Sequence, residues 1–306
     1  MTAADARVTV VVLTHNRREE VLRTVAGLRA LPDRAHICVV DNGSTDGTAQ
    51  ALRTACPNVR VITADGNAGA AGRNLGVNGA ATPYVAFCDD DTCWQAHALD
   101  RAADILDRHP SMAVLCAQVR VGPGNRLDPA CESMAASPLP SGGLPGKALL
   151  GFLAGASVMR VQAFLGVGGY RPEFFIGAEE ALMALDFAAA GWRMAYCPEI
   201  ITRHDPSPRR DAAGRRRLLA RNQIWTAWLR FPVREACAET VRIVRSLPPA
   251  ARPGALRDAL AGWRWVAAQR RVAPPHVMQM RRALAAPRLA SPAENTPSAA
   301  PPPSPR

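Results

Sequence analysis

Lysine is nearly missing from this 306-residue chain: Lys147 stands alone among 37 basic residues, so the net charge of +11 is carried by arginine. An excess of that sign suits an anionic substrate or surface and excludes little else. Aromatic residues are scarce at 5%. The eight cysteines form no CxxC pair and no secretory signal opens the chain, which argues against a disulfide framework or a zinc ribbon. A reducing, cytoplasmic setting is the expectation. The longest mainly apolar stretch, Ala148 to Met159, is about a dozen residues against the roughly 20 that cross a bilayer, so no transmembrane anchor is expected. After the first apolar run no glycine occurs until Gly27, which argues against a dinucleotide-binding GxGxxG turn, and no P-loop is present.

What the chain does have is core-forming material: 48% of its residues are hydrophobic, enough for one large or two small domains. Val8–Leu13 and Ile37–Val40 are continuous β-branched runs that suit strands buried on both faces of a parallel sheet. Between them, Arg17–Ala30 sets Val21, Leu22, Val25 and Leu28 at helical spacing. The alternation continues with a helix over Asp46–Thr54, a strand over Val59–Thr63, a helix over Ala70–Ala80 and a strand over Tyr84–Phe87. The expected class is therefore α/β, a doubly wound, Rossmann-like open sheet with helices on both faces. A helix over Ala96–Arg108 and a strand over Ala113–Gln118 follow, then a Gly-, Pro- and Ser-rich stretch, 121–146, that predicts a long mobile loop. Beyond it come a helix over Glu179–Ala190 and a short strand near Arg193–Cys197.

Ligands in such sheets bind beyond the carboxyl ends of the strands, so the residues there matter most. They are Thr14-His15-Asn16-Arg17, Asp41-Asn42-Gly43-Ser44, a turn around Gly66-Asn67, and Asp89-Asp90-Asp91. Each of the first three serves equally well as a turn or helix cap. Three consecutive aspartates fit that explanation poorly, because they repel one another unless a cation or solvent intervenes. A divalent ion such as Mg²⁺ or Mn²⁺ holding a diphosphate relieves the repulsion.

VVLTHNR, VVDNGSTDGT, GNAGAAGRNLGV, VAFCDDDT and FFIGAEEALMALDFAAAGW, in this order and spacing over residues 7–205, resemble the family 2 glycosyltransferases of GT-A fold. The resemblance implies a mostly parallel GT-A domain over 1–205, with a nucleotide-binding half (1–120) and an acceptor and catalytic half (121–205). It implies an inverting transferase that uses a nucleotide-diphosphate sugar (UDP-, dTDP- or GDP-sugar), a divalent metal, and a glycan, lipid-linked or small-molecule acceptor in cell-envelope or glycoconjugate synthesis. By similarity, Thr14, Asn16, Arg17 and Asp41 border the nucleoside, and Asn67, Gly69 and Arg73 line its pocket. Asp89, Asp90 and Asp91 stand for the family's Asp-x-Asp element, with Asp89 facing ribose or sugar and Asp91 holding the metal; their register is left open by three acids in a row. The family's Glu-Asp pair is Glu179-Glu180 here, a departure that lengthens the general base by one methylene; Glu180 is favoured and Glu179 is the alternative. Two solvated acids in a helix's first turn are the plain alternative to both. His204 lies where many relatives bring a histidine to the metal or diphosphate, although a lone histidine also serves simply as a packing residue.

Residues 206–285 carry 17 arginines against four acids, and four of the six tryptophans. They are expected to form a helical extension. Arg209, Arg210, Arg215, Arg216, Arg217 and Arg221, ahead of Ile224, Trp225, Trp228 and Leu229, fit either a helix lying on an anionic membrane or a helix packing its tryptophans against the core. A non-catalytic nucleic-acid binder leaves the aspartates unexplained, and no nucleic-acid partner is expected. A sugar nucleotidyltransferase places a glycine-rich, basic loop after its first strand, and Thr14–Arg18 lacks those glycines. A processive synthase has membrane spans and a Gln-x-x-Arg-Trp element, and neither is visible here, since Ala261 precedes Arg264-Trp265 where glutamine is needed. The Ala-, Pro- and Ser-rich tail, 286–306, is expected to be disordered.

Overall fold

The computed structural model describes residues 6–33, 35–206 and 212–286. Its first half alternates as the periodicity requires: β1 (Val8–Thr14), α1 (Arg18–Arg29), β2 (Ala35–Asp41), α2 (Thr48–Ala55), β3 (Arg60–Thr63), α3 (Arg73–Asn78) and β4 (Tyr84–Asp89). These four strands are parallel in the order β3-β2-β1-β4. Successive side chains of β1 enter opposite cores. Val8, Val10 and Val12 meet Val21, Val25 and Leu28 of α1 and Leu52 of α2, while Val11 joins Val77 of α3 and Phe87 of β4 on the other face. Burial on both faces is why the run reads as unbroken β-branched residues and not as an alternation. The helix expected over Ala70–Ala80 is divided: Gly69–Gly72 forms a 3-10 turn, and only then does α3 begin.

The second half completes the same sheet with β5 (Thr92–Trp94), α4 (Ala98–Arg108), β6 (Met112–Val121), β7 (Arg126–Leu127), α5 (Pro129–Ala135), β8 (Lys147–Ala148), β9 (Ser157–Arg160), α6 (Val161–Gly166), α7 (Glu179–Ala189) and β10 (Arg193–His204). The main path is β3-β2-β1-β4-β9-β6-β10-β5, with β7 pairing β6 and β8 pairing β10. β9 lies antiparallel between β4 and β6, so the sheet is mostly parallel with one reversed central strand.

Two expectations need correcting. The 121–146 stretch is not one irregular loop: β7 folds back on β6, and α5 starts where Asp128 accepts from Ala130 N at 2.8 Å with Pro129 in the first helical turn. An Asp-Pro start is a strong helix signal, outweighed in the sequence by the surrounding Gly and Pro. The short strand near Arg193–Cys197 runs on to His204 after an irregularity between Cys197 and Ile201, which carries His204 to the strand-end edge of the sheet.

Helices α8 (Ala212–Arg230), α9 (Val233–Ser246), α10 (Arg252–Ala261), α11 (Trp263–Gln269) and α12 (Pro275–Ala285) form a cap with its own core. Ile224, Trp225 and Leu229 are buried in it. Trp225 stacks at 6.0 Å from Phe174 and 5.5 Å from Trp265, and its indole donates to Ala259 O at 2.8 Å. That packing rules out α8 as the membrane-facing helix, because the aromatic edge required for it faces the protein. An ion pair from Arg230 to Asp186 fastens α8 to α7. Arg209, Arg210 and residues 287–306 of the tail lie outside the described residues. Among the described residues, no helix is long and apolar enough to cross a membrane.

Candidate active site

The carboxyl ends of β1 and β4, the start of α7, the end of β10 and the first turns of α8 surround a cleft of about 640 Å³. Thr14, Arg17, Asn67, Gly69, Arg73, Asp89, Asp90, Asp91, Glu179, Glu180 and His204 all line it. Asn16, which is exposed, and Asp41, which is buried, do not line it. Asn16, at φ 52°, accepts from Thr45 N at 2.7 Å and donates its own N–H to Ser44 Oγ at 2.8 Å, which ties the first strand-end loop to the second. Asp41 accepts from Ser44 N through Oδ1 at 3.1 Å, while its buried Oδ2 has no hydrogen-bond partner. An unsatisfied buried carboxylate oxygen costs free energy unless a donor arrives, so its presence beside the cleft marks a place for one.

The three aspartates do not converge on one point. Asp89 forms an ion pair with the buried Arg73 guanidinium, whose face lies 5.9 Å from the Phe87 ring and 6.0 Å from the Tyr170 ring. Asp90 turns inward, accepting from Thr14 Oγ1 at 3.0 Å and Arg17 Nη1 at 2.8 Å; burial pushes its carboxyl up to about 6. Asp91 sits 3.4 Å from Arg17 Nη1 and 3.5 Å from His204 Nε2. Among the described residues, arginine thus relieves much of the mutual repulsion that the sequence left to a cation or solvent. Among the described residues, no group of three or more His, Cys, Asp or Glu side chains is arranged to hold a metal ion. Asp91 with His204 offers two donors at the cleft. Two protein ligands fit a divalent ion whose remaining positions are filled by phosphate oxygens.

Opposite the aspartates, α7 opens with Glu179 and Glu180. Glu179 is buried with Oε2 unpartnered, and burial raises its pKa despite the nearby charges of Arg73 and Arg215. Burial pushes the Glu180 carboxyl up to about 7, and the neighbouring Glu179 charge adds to the shift. Such a group is a stronger base than an ordinary glutamate and still ionises near neutrality.

Other cleft residues were not singled out by sequence reasoning. Buried Asn42 is the knot between the strand-end loops: Nδ2 donates to Asn67 Oδ1 at 3.0 Å and Gly69 O at 2.9 Å, and Oδ1 accepts from Ala68 N at 3.1 Å. Gly155 reaches the Asp89 carboxylate so closely that a Cβ there would lie 2.6 Å from Oδ2. Phe175, Arg215 and Leu218 complete the rim. Only Asn42 carried a signal, its place directly after a buried strand.

The glycosyl transferase family 2 model matches residues 9–164, just over half of the chain. An N-acetylglucosaminyl-diphospho-decaprenol L-rhamnosyltransferase of Mycobacterium tuberculosis is 27% identical over 243 residues, covering 67% of this chain and 78% of the relative. Among solved structures, the mannosyltransferase PcManGT from Pyrobaculum calidifontis, in complex with GDP-Man and Mn²⁺, shares the fold with a TM-score of 0.58 at 21% identity, over 91% of this chain and 79% of that one. S. aureus TarS 1-349 does so at 0.56 and 17% identity, over 85% and 90%. By this family match the chain belongs to glycosyl transferase family 2, and it is a glycosyltransferase.

Proposed function

We propose that this enzyme transfers a sugar from a nucleotide-diphosphate donor to a hydroxyl of a lipid-diphosphate-linked acceptor, with inversion, in one in-line displacement. The observation that carries this reading is Glu180: a carboxyl held at the cleft with its proton affinity raised to about 7, facing strand-end groups suited to a nucleotide diphosphate. Glu180 takes the proton of the attacking hydroxyl as the anomeric bond to the diphosphate breaks. Asp41 Oδ2 accepts a donor from the nucleobase, and Thr14, Asn67 and Gly69 line the nucleoside side of the cleft. Arg73 fixes Asp89 toward ribose or sugar, and Arg17 braces Asp90 and Asp91. Asp91 and His204 would hold a divalent ion, which when bound offsets the negative charge developing on the leaving diphosphate. No enzyme nucleophile is needed, and burial pushes thiols such as Cys116 up to about 12, away from nucleophilic use.

The lipid-linked acceptor is inferred from the mycobacterial relative's name. Peripheral contact with an anionic membrane is assigned to α10–α11, where Leu260 is 68% and Trp263 44% exposed beside exposed Arg257 and Arg264. Sedimentation with phosphatidylglycerol vesicles that survives in L260E/W263E would remove that assignment.

The function is tested by a thermal-shift panel of UDP-, GDP- and dTDP-sugars with and without Mn²⁺, followed by product analysis with the stabilising donor. Glycosyl transfer releases a nucleoside diphosphate; release of pyrophosphate would establish nucleotidyl transfer instead.

A further inference from the structure

The segment leading into α7 has an improbable backbone. Phe175 sits at φ 59° and ψ −72° while Ile176 N donates to Phe174 O at 2.7 Å, which makes the rare, strained form of the three-residue γ-turn. Gly177 follows at φ 91° and Ala178 at φ 64°, so three of four residues are left-handed and two of them carry a Cβ. Phe175 and Ala178 are strained there, and such a backbone persists only where its surroundings over-determine it.

The surroundings here come largely from one side chain of the helical cap. Asn222 of α8 is 0% exposed, and its Nδ2 lies 2.8 Å from Phe174 O, 3.1 Å from Ile176 O and 2.6 Å from Gly177 O. One amide group thus gathers three carbonyls of the strained turn. Arg221 secures that amide: its Nε donates to Asn222 Oδ1 at 3.0 Å, and its Nη2 donates to Glu173 O and Phe174 O, both at 3.0 Å. The guanidinium is itself held 4.2 Å above the Trp225 ring. From the other wall of the cleft, Ala70 N donates to Phe175 O at 2.6 Å.

We propose that Asn222, steadied by Arg221, is a positioning residue for the general base: it clamps the turn 174–178 so that α7 begins with Glu180 in the cleft. The proposal rests on the reading of Glu180 as base. Removing the clamp lets the turn relax to ordinary backbone angles and exposes the Glu180 carboxyl, which now faces Glu179 on α7, Arg73 on α3, Asp89 on β4 and the Tyr170 hydroxyl. The cap is thereby part of the active site, although Asn222 does not line the cleft.

Asn222→Asp is nearly isosteric and turns a donor into an acceptor against three carbonyls. In the full-length enzyme it is expected to lower kcat at least tenfold, to leave the KM for the nucleotide sugar within about twofold, and to move the acidic limb of the pH–rate profile from about 7 toward the ordinary glutamate range. Asn222→Ser, which keeps one donor on a side chain one bond shorter, is expected to recover part of kcat and of the limb, and it carries the test if the aspartate variant does not fold. Hydrogen exchange should show lost protection at 174–180 in either variant. Parent-like kcat, limb position and protection in a folded variant would overturn the clamp. Full transfer by Glu180→Gln would overturn the base assignment instead, and exchange at 174–180 would still decide whether Asn222 holds the turn.

Discussion

Two groups of acids face one cleft and differ in their partners. At the end of β4, Asp89 has Arg73, Asp90 has Arg17 and Thr14, and Asp91 has Arg17 and His204 within reach. At the start of α7, Glu179 and Glu180 have each other, burial, and arginine charges acting through space. Matching a carboxylate with a guanidinium fixes its direction, which suits a group that must hold a ligand, although burial still pushes Asp90 up to about 6. Burying one beside another of like charge raises its proton affinity, which suits a group that must take a proton. Chemically similar side chains thus acquire different work from their neighbours.

The largest expected effect comes from removing the proton acceptor alone. Glu180→Gln should lower transfer by roughly 10²–10⁴-fold, the usual scale of general-base catalysis, while donor-induced thermal stabilisation persists; turnover near the parent's would dissolve the distinction between the two groups. Next is Asp91→Ala, which should raise the Mn²⁺ concentration for half-maximal activity by at least tenfold and spare the pH profile's acidic limb. A metal titration matching the parent's would show that Asp91 is not a ligand.

The smallest effect is on stability. A carboxyl whose folded pKa is raised from 4.5 to about 7 favours the folded state at low pH, and this advantage is lost as pH rises from about 4.5 through about 7. Glu180→Gln carries no such loss, so its Tm at pH 8 should exceed the parent's by roughly 2–5 °C and the gap should close by pH 4.5. A gap that widens at low pH would mean that Glu180 is stabilised as the anion.

The same contrast bears on what a sequence discloses. The parallel half was legible because its inner strands β1 and β4 are buried on both faces, so that β-branched and apolar runs and the helical spacing between them carry the information locally. Asp89, Asp90 and Asp91 were visible for the same reason, lying where a strand must end. Their individual partners were not, because Arg73 reaches Asp89 from α3 and His204 reaches Asp91 from a strand more than a hundred residues away. The reversed strand β9 was hidden in a short apolar run that suits helix and strand alike. Asn222 gave no local sign at all: its partners are carbonyls 45–48 residues earlier, and backbone carbonyls have no sequence. Arginines and tryptophans of α8 read equally as a membrane helix or a packed one, and only the burial of Trp225 under Phe174 and Trp265 separates the two.

The central claim is that one half-buried glutamate at the start of α7, lining the cleft, accepts the acceptor's proton. The pH dependence of kcat/KM at saturating Mn²⁺ addresses it directly. The account predicts a single ascending limb with a midpoint near 7 in the parent enzyme, absent from the residual activity of Glu180→Gln. A parent profile that stays flat down to pH 5, or an identical limb in the glutamine variant, would contradict it.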